Sequence, residues 1–485
     1  MNLLIIYIIL SLCFMYNNAK TSSSISSIKS SNKNKMEKSI NIVGAATSST
    51  KKVSTPSSST NLADLKVLSC IIGGALAHLT LGTLFCWGNF MSYAPSFLSF
   101  FDGIERSGVQ ADKLLVIPFT LMAMCVTMPI GPIVVGKIGS QKTMFIGTLL
   151  VSLGVFLSAY AKNLLTFILC YSGLFGAGVG ISYAAPMIAG WKWLPNAKGL
   201  VSGVILTGFG AGGFIFSLLG TSFVNPKGLN PSGGKFPVEV YDAFPLMLKK
   251  LALLYFVVGS IGAAMISVPA LPAPVKGKIQ AVPTVQGVGV LEAIKTPQFW
   301  ILWTMIILSA SAGLNVAAAY KQFATTIPTL SNDSYLTLVG ATGAIFNGLG
   351  RLFWGSISDK IGFKNSFTLL AGIQAVLHVL FPYSTYSKAT FIVAFSMVYF
   401  LLAGNFALMP PAAQKIFGTK NGSIIYGILY TSFASASIGG IFLMKPLIAA
   451  LGWNSLFRTM AALSLGATFV TTLLKPLKSL PSSTV

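Results

Sequence analysis

The sequence predicts an all-α, multi-pass membrane protein with twelve transmembrane helices in two pseudo-symmetric six-helix bundles. Three observations carry that expectation. Of 485 residues, 54% are hydrophobic and 9% are charged, whereas a soluble domain carries about a quarter charged residues. From Lys66 onward, apolar stretches follow one another, each close to the roughly 20 residues that cross a bilayer. A polar, proline-bearing segment then divides the series in two, and a turn sequence recurs at corresponding places on either side of it. Six spans plus six around a central loop is the layout of two parallel halves, each made of inverted three-helix repeats.

The chain opens with a leader in two parts. Residues 1–19 hold a short apolar run, Leu3 to Phe14, followed by small and polar residues around Asn17–Ala19. The run is too short for a comfortable span and resembles a signal peptide. Residues 20–65 are basic and rich in Ser and Lys; between Lys20 and Asn61 stand seven lysines and one acid, Glu37. Such a composition cannot bury a core and predicts disorder, and acid-poor, Ser-rich basic tracts are typical of transit peptides. The two parts together resemble the bipartite leader of proteins sent to secondary plastids. A secretory signal or a disordered cytoplasmic tail remains the alternative, with the plasma membrane or another endomembrane as destination.

The predicted spans run 67–91, 114–136, 142–160, 164–190, 199–223 and 246–270, forming an N-terminal bundle over 66–270. The central loop, 271–297, carries prolines with Lys276, Lys278 and Lys295. The second bundle, 298–475, takes spans 298–321, 336–357, 365–386, 389–412, 423–444 and 454–474, and a tail follows at 476–485. Placing the N-terminus and central loop on the cytoplasmic side gives only a weak bias of basic residues, so charge alone does not fix orientation. Gly176, Gly178 and Gly180 in the fourth span and Gly208, Gly210, Gly212 and Gly213 in the fifth are expected to let helices touch and slide. They are not phosphate cradles, because no GK[ST] triplet follows them.

Several function classes are excluded. The formal charge of +23 is spread over loops and leader, which speaks for topology and targeting rather than nucleic acid. Cys13, Cys70, Cys86, Cys125 and Cys170 form no CxxC or Cys/His cluster, so neither a metal nor a cofactor is expected. Ten acids, none well inside a span, leave an intramembrane enzyme without its acid/base pair. A channel would need no six-plus-six repeat and would show repeated pore-lining charge.

The recurring turn is Gly355-Ser356-Ile357-Ser358-Asp359-Lys360-Ile361-Gly362 after the eighth span, matched by Pro132-Ile133-Val134-Val135-Gly136-Lys137-Ile138-Gly139 after the second. It resembles the loop signature of the major facilitator superfamily. That resemblance implies a conformational gating role for Gly355, Asp359, Lys360, Gly362, Lys137 and Gly139. In the first half Gly136 stands where the superfamily usually has an acid, which puts the latch in doubt there. Further stretches narrow the match: Trp191-Lys192-Trp193-Leu194-Pro195-Asn196, Thr296-Pro297-Gln298-Phe299-Trp300, Asn347-Gly348-Leu349-Gly350-Arg351 and Tyr426-Gly427-Ile428-Leu429-Tyr430-Thr431. Together they resemble the oxalate/formate antiporter family and its monocarboxylate-carrier relatives over about residues 67–475.

Arg351 is the one Arg or Lys placed well inside a predicted span. A charge there costs about 2.5–3.5 kcal/mol on insertion scales and marks a functional site by default. Its planar fork fits a carboxylate, and Asn347, four residues earlier, shares its helical face. By resemblance, Arg351 matches the arginine that binds substrate carboxylate, while Phe433 stands where the oxalate carrier has a lysine for a second carboxylate. One buried cation balances one negative charge, so a monocarboxylate such as pyruvate, lactate or formate is expected. Oxalate or another dicarboxylate, or a neutral solute such as a sugar or amino acid, is the alternative cargo. His78, mid-span between Gly74 and Gly82, is read equally as a substrate or proton site and as a structural histidine. Tyr183, Tyr426 and Tyr430 are candidate hydroxyl donors, although ordinary packing accounts for each as well. Asn315 and Asn405 suit interhelical hydrogen bonds, and His378 is expected to be structural. The expected partners are a small organic anion and membrane lipid around a monomer, with coupling to a proton, to a counter-anion or to neither left open.

Overall fold

Inside a bilayer a backbone group finds no water, so a spanning segment must satisfy its own hydrogen bonds. In the computed structural model the elements are accordingly helical throughout the described residues, which are 59–94, 116–229, 236–269 and 287–475. The expected signal peptide, nearly all of the leader, most of the central loop and the C-terminal tail lie outside them. The described residues from 61 onward form one compact unit.

The first half comprises α1 (Ser59–Leu81), α2 (Val116–Thr127 with Ile130–Ile138), α3 (Ser140–Ser158), α4 (Leu164–Trp193), α5 (Lys198–Val224) and α6 (Val238–Met265). A short helix, Val290–Lys295, leads into the second half. There follow α7 (Pro297–Thr325), α8 (Asp333–Ile361), α9 (Phe363–Tyr386) and α10 (Lys388–Phe417). α11 starts as Gly422–Leu429 and continues from Thr431 to a break at Gly452 (φ 74°), beyond which α12 runs over 453–472. Among the described residues eight helices are long and apolar enough to cross a membrane, and the bent pair of α2 makes a ninth. With α8, α11 and α12 the series reaches twelve, the number read from the sequence.

Starts and stops follow local chemistry. Thr296, Asn332 and Ser387 cap α7, α8 and α10 with side-chain oxygens, satisfying N–H groups that have no partner within the helix. The two copies of the turn signature have the same geometry. Gly139 (φ 88°, ψ 161°) and Gly362 (φ 84°, ψ 161°) each close one helix and open the next. Thr143 Oγ1 donates to the Gly139 carbonyl at 2.8 Å, and Ser366 Oγ to the Gly362 carbonyl at the same distance. A positive φ at these turns is the reason for glycine.

The glycine runs act as close-packing surfaces. A Cβ on Gly176 or Gly180 would meet α2 at Thr120 and Thr127, and one on Gly208 or Gly212 would meet the α1 backbone at Ala75 and Leu79. Three boundaries and one bend differ from expectation. α1 begins at Ser59 rather than 67, and α6 begins at Val238 rather than 246, taking in Pro245. α2 is bent by 48° next to Pro129, a residue with no N–H for the helical ladder. α11 continues past 444 through Pro446, so Lys445 also falls within a helix and Arg351 is not the only cation placed in one.

Candidate functional site

The two halves meet along two seams, α5 with α8 and α10 on one side and α2 with α11 on the other. At mid-length of the first seam, a Cβ on Gly203 would lie 2.6 Å from the Arg351 carbonyl, and Thr207 Oγ1 donates to the Gly348 carbonyl at 3.1 Å. Arg351 therefore projects from a helix pressed against the opposite half.

Its environment is built in layers. Arg351 Nε donates to Asn347 Oδ1 at 3.1 Å, and Asn347 Nδ2 donates to the Tyr399 carbonyl of α10 at 3.1 Å. The guanidinium is thus oriented through its own helix and a neighbour. The side chain is fully buried, yet Nη1 and Nη2 have no hydrogen-bond partner. Phe209 of α5 and Phe406 of α10 stand 5.2 and 4.9 Å from its Cζ. Rings within about 6 Å attract a guanidinium through their π faces, so an aromatic from each half holds the charge.

The other candidates converge on this point. Tyr183 of α4 lies centroid to centroid 5.5 Å from His78, 5.7 Å from Phe209, 6.0 Å from Tyr430 and 6.4 Å from Tyr426. Tyr430 is 4.9 Å from Phe433, which stacks on Phe406 at 4.6 Å. All three tyrosines are within electrostatic reach of Arg351. The Tyr183 and Tyr426 hydroxyls and His78 Nε2 are buried without a partner. Buried polar groups are nearly always satisfied. A cluster that leaves two guanidinium nitrogens, two hydroxyls and an imidazole nitrogen unpaired can offer several donors to one small anion.

The structure thus brings Arg351, Asn347, His78, Tyr183, Tyr426, Tyr430 and Phe433, named separately from the sequence, into one aromatic-walled cluster. The sequence reading missed Phe209 and Phe406. The signal for Phe209 was a single large side chain between Gly208 and Gly210; Phe406, one of 34 phenylalanines, had none. Other polar candidates serve the second bundle: Asn315 Nδ2 faces Met460 Sδ at 3.8 Å, and His378 Nδ1 lies 3.4 Å from Ser464 Oγ.

The gating candidates divide. Asp359 reaches across the α5–α8 seam, where its Oδ1 and Oδ2 accept from the N–H groups of Gly199 and Leu200 at 3.0 and 2.8 Å. These are the second and third helical positions of α5, whose own N-cap, Ala197, gives no side-chain bond. A carboxylate there is favoured by both the free N–H groups and the helix dipole. Gly355 faces Gly199 backbone to backbone, with no room for a Cβ on either. Lys137 and Lys360 are exposed, and a Cβ on Gly136 would meet open space.

Comparison with known proteins agrees with this architecture. A family model described as Major Facilitator Superfamily matches residues 79–438. The chain is 27% identical over 465 residues to Apicoplast pyruvate carrier 1 of Toxoplasma gondii, covering 80% of this chain and 84% of that protein. It is 31% identical over 304 residues to the Oxalate:formate antiporter of Oxalobacter formigenes, covering 62% of this chain and 68% of that one. A structure of the proton:xylose symporter XylE superposes with a TM-score of 0.61 at 13% identity, covering 83% of this chain and 94% of that one. With three quarters of its length matched by the family model and its helices arranged as described, the chain belongs to the major facilitator superfamily and is a multi-pass membrane transporter.

Proposed function

We propose that this transporter carries a small monocarboxylate anion of the pyruvate, lactate or formate type by alternating access, with Arg351 gripping the carboxylate. The observation that carries this reading is the wholly buried guanidinium whose Nη1 and Nη2 are unpartnered inside a cage of tyrosine and phenylalanine rings. A carboxylate can accept from both nitrogens at once, which is the strongest geometry available to it. Tyr183 and Tyr426 supply further donors, while Phe209, Phe406 and Phe433 suit a short apolar remainder. Phe433 adds no second cation, so a dicarboxylate would bring one charge more than the cage balances. Asp359, capping α5 from the opposite half, serves as the latch that closes the end of the bundles bearing Gly139 and Gly362. The similarity to an apicoplast pyruvate carrier supports the choice of cargo. With the Ser- and Lys-rich leader, it also supports a plastid membrane as the location.

Purified protein in proteoliposomes tests the cargo. Pyruvate or lactate is expected to enter saturably and oxalate poorly, and strong oxalate preference would overturn the reading. Tagged protein with and without residues 1–61 tests the location: deletion should remove the plastid signal.

A further inference from the structure

At the end of the first bundle that bears Gly139, a groove of about 710 Å³ opens between α1, α4 and α6, a volume usual for a small-ligand site. Its walls are Leu65, Lys66 and Ser69 from the start of α1, Trp193 from the end of α4, and Met265 with Val268 where α6 gives way to extended chain. Side-chain bonds fix this shape. Trp193 Nε1 donates to the Ser267 carbonyl at 2.8 Å, Cys70 Sγ to the same carbonyl at 3.2 Å, and Ser69 Oγ to the Met265 carbonyl at 3.4 Å. Gln141 Nε2, beside the Gly139 turn, donates to the Ala264 carbonyl at 3.0 Å. Leu65 and Val268 are nevertheless 60% and 46% exposed.

Lys66 stands just before the apolar run of α1, exposed, and among the described residues no carboxylate pairs with it. Asp64 lies two residues away, hence on another face of the helix. Lys142 and Lys192, exposed and adjacent in sequence to Gln141 and Trp193, add to the positive charge. An apolar wall and a tryptophan beneath an unpaired ammonium match the boundary between acyl chains and headgroups.

We infer that this groove binds one anionic phospholipid, with its phosphate on Lys66 and an acyl chain along Leu65, Met265 and Val268. The protein's own neighbouring segments fit it badly. Between Lys20 and Asn61 stand seven lysines against one acid, and residues 270–286 carry Lys276 and Lys278 and no acid. A soluble anion would leave the apolar wall in water. A basic residue at an anionic membrane surface is worth about fivefold in binding. The site is independent of the cargo reading. The seams between the halves run along α2, α5, α8, α10 and α11, so the lipid stays in place while the halves move.

The test places full-length protein in phosphatidylcholine nanodiscs and adds phosphatidylglycerol or phosphatidylcholine brominated in the acyl chain. Quenching of Trp193 is read as wild type minus Trp193→Phe. Brominated phosphatidylglycerol should quench at a mole fraction about fivefold lower than brominated phosphatidylcholine. Lys66→Gln should bring the two lipids level, and Lys66→Arg should keep the preference. If Trp193→Phe disturbs the wall, native mass spectrometry decides: one phosphatidylglycerol should stay on the wild type and be lost from Lys66→Gln at the same collision energy. Equal quenching by both lipids would overturn the inference, as would a preference untouched in Lys66→Gln or the absence of Trp193 quenching. Relief of quenching by inorganic phosphate would also overturn it, marking a site for a free anion. Quenching that appears only after residues 1–58 are deleted would assign the groove to the leader instead.

Discussion

Asp359 and Leu200 belong to opposite halves of the molecule, and the carboxylate of the first accepts a 2.8 Å hydrogen bond from the backbone N–H of the second. With the bond from Gly199, the acid does for α5 what an N-cap residue does within one helix. Bonds to a charged group contribute about 1.5–3 kcal/mol each. Asp359→Ala is therefore expected to shift the seam towards its open arrangement at least tenfold. Spin labels at Lys192→Cys and Lys360→Cys should report a longer distance in that background, and transport should fall.

Gly355 faces the Gly199 backbone at the same seam without room for a side chain. Gly355→Val is expected to hold the halves apart at that end while each bundle keeps its own packing. The measurement is a helical circular dichroism signal like that of the wild type, combined with a loss of transport of at least tenfold.

Arg351→Lys keeps a positive charge but loses the planar fork and the bond from Nε to Asn347. Lysine is no conservative substitute at a bidentate site. Transport should drop about a hundredfold, with Arg351→Gln lower still and Asn347→Ala intermediate, read as initial uptake rates at saturating and limiting substrate.

Phe433 stacks on Phe406, the ring that covers one side of the guanidinium. Phe433→Lys adds the second cation that the cage lacks. The expected outcome is a shift in competition from pyruvate towards oxalate of about tenfold or more. An unchanged preference would show that charge balance does not set selectivity here.

Much of this was legible in the sequence because polar side chains stand out in apolar runs. Arg351, Asn347, His78 and the tyrosines were each visible as exceptions, but their convergence came only with the packing of the helices. Phe209 and Phe406 were invisible for the opposite reason: phenylalanine is common in lipid-facing positions, so type alone does not separate a cage wall from packing. The partners of Asp359 were equally hidden, since it pairs with backbone N–H groups that every residue except proline carries. The bend of α2 at Pro129 could not be ranked either. Pro245, Pro410, Pro411 and Pro446 lie inside α6, α10 and α11 without ending them.

Gly136 leaves the other seam without any counterpart of the acid at 359. There α11 meets α2 through van der Waals contact, a Cβ on Gly427 lying 2.6 Å from Pro129 N, and a weak Cys125 thiol bond to the Tyr430 carbonyl at 3.7 Å. A doorway bolted along one jamb gives way at the other. Under the proposed alternating access, the bundles are expected to part first along this second side, beside Tyr430.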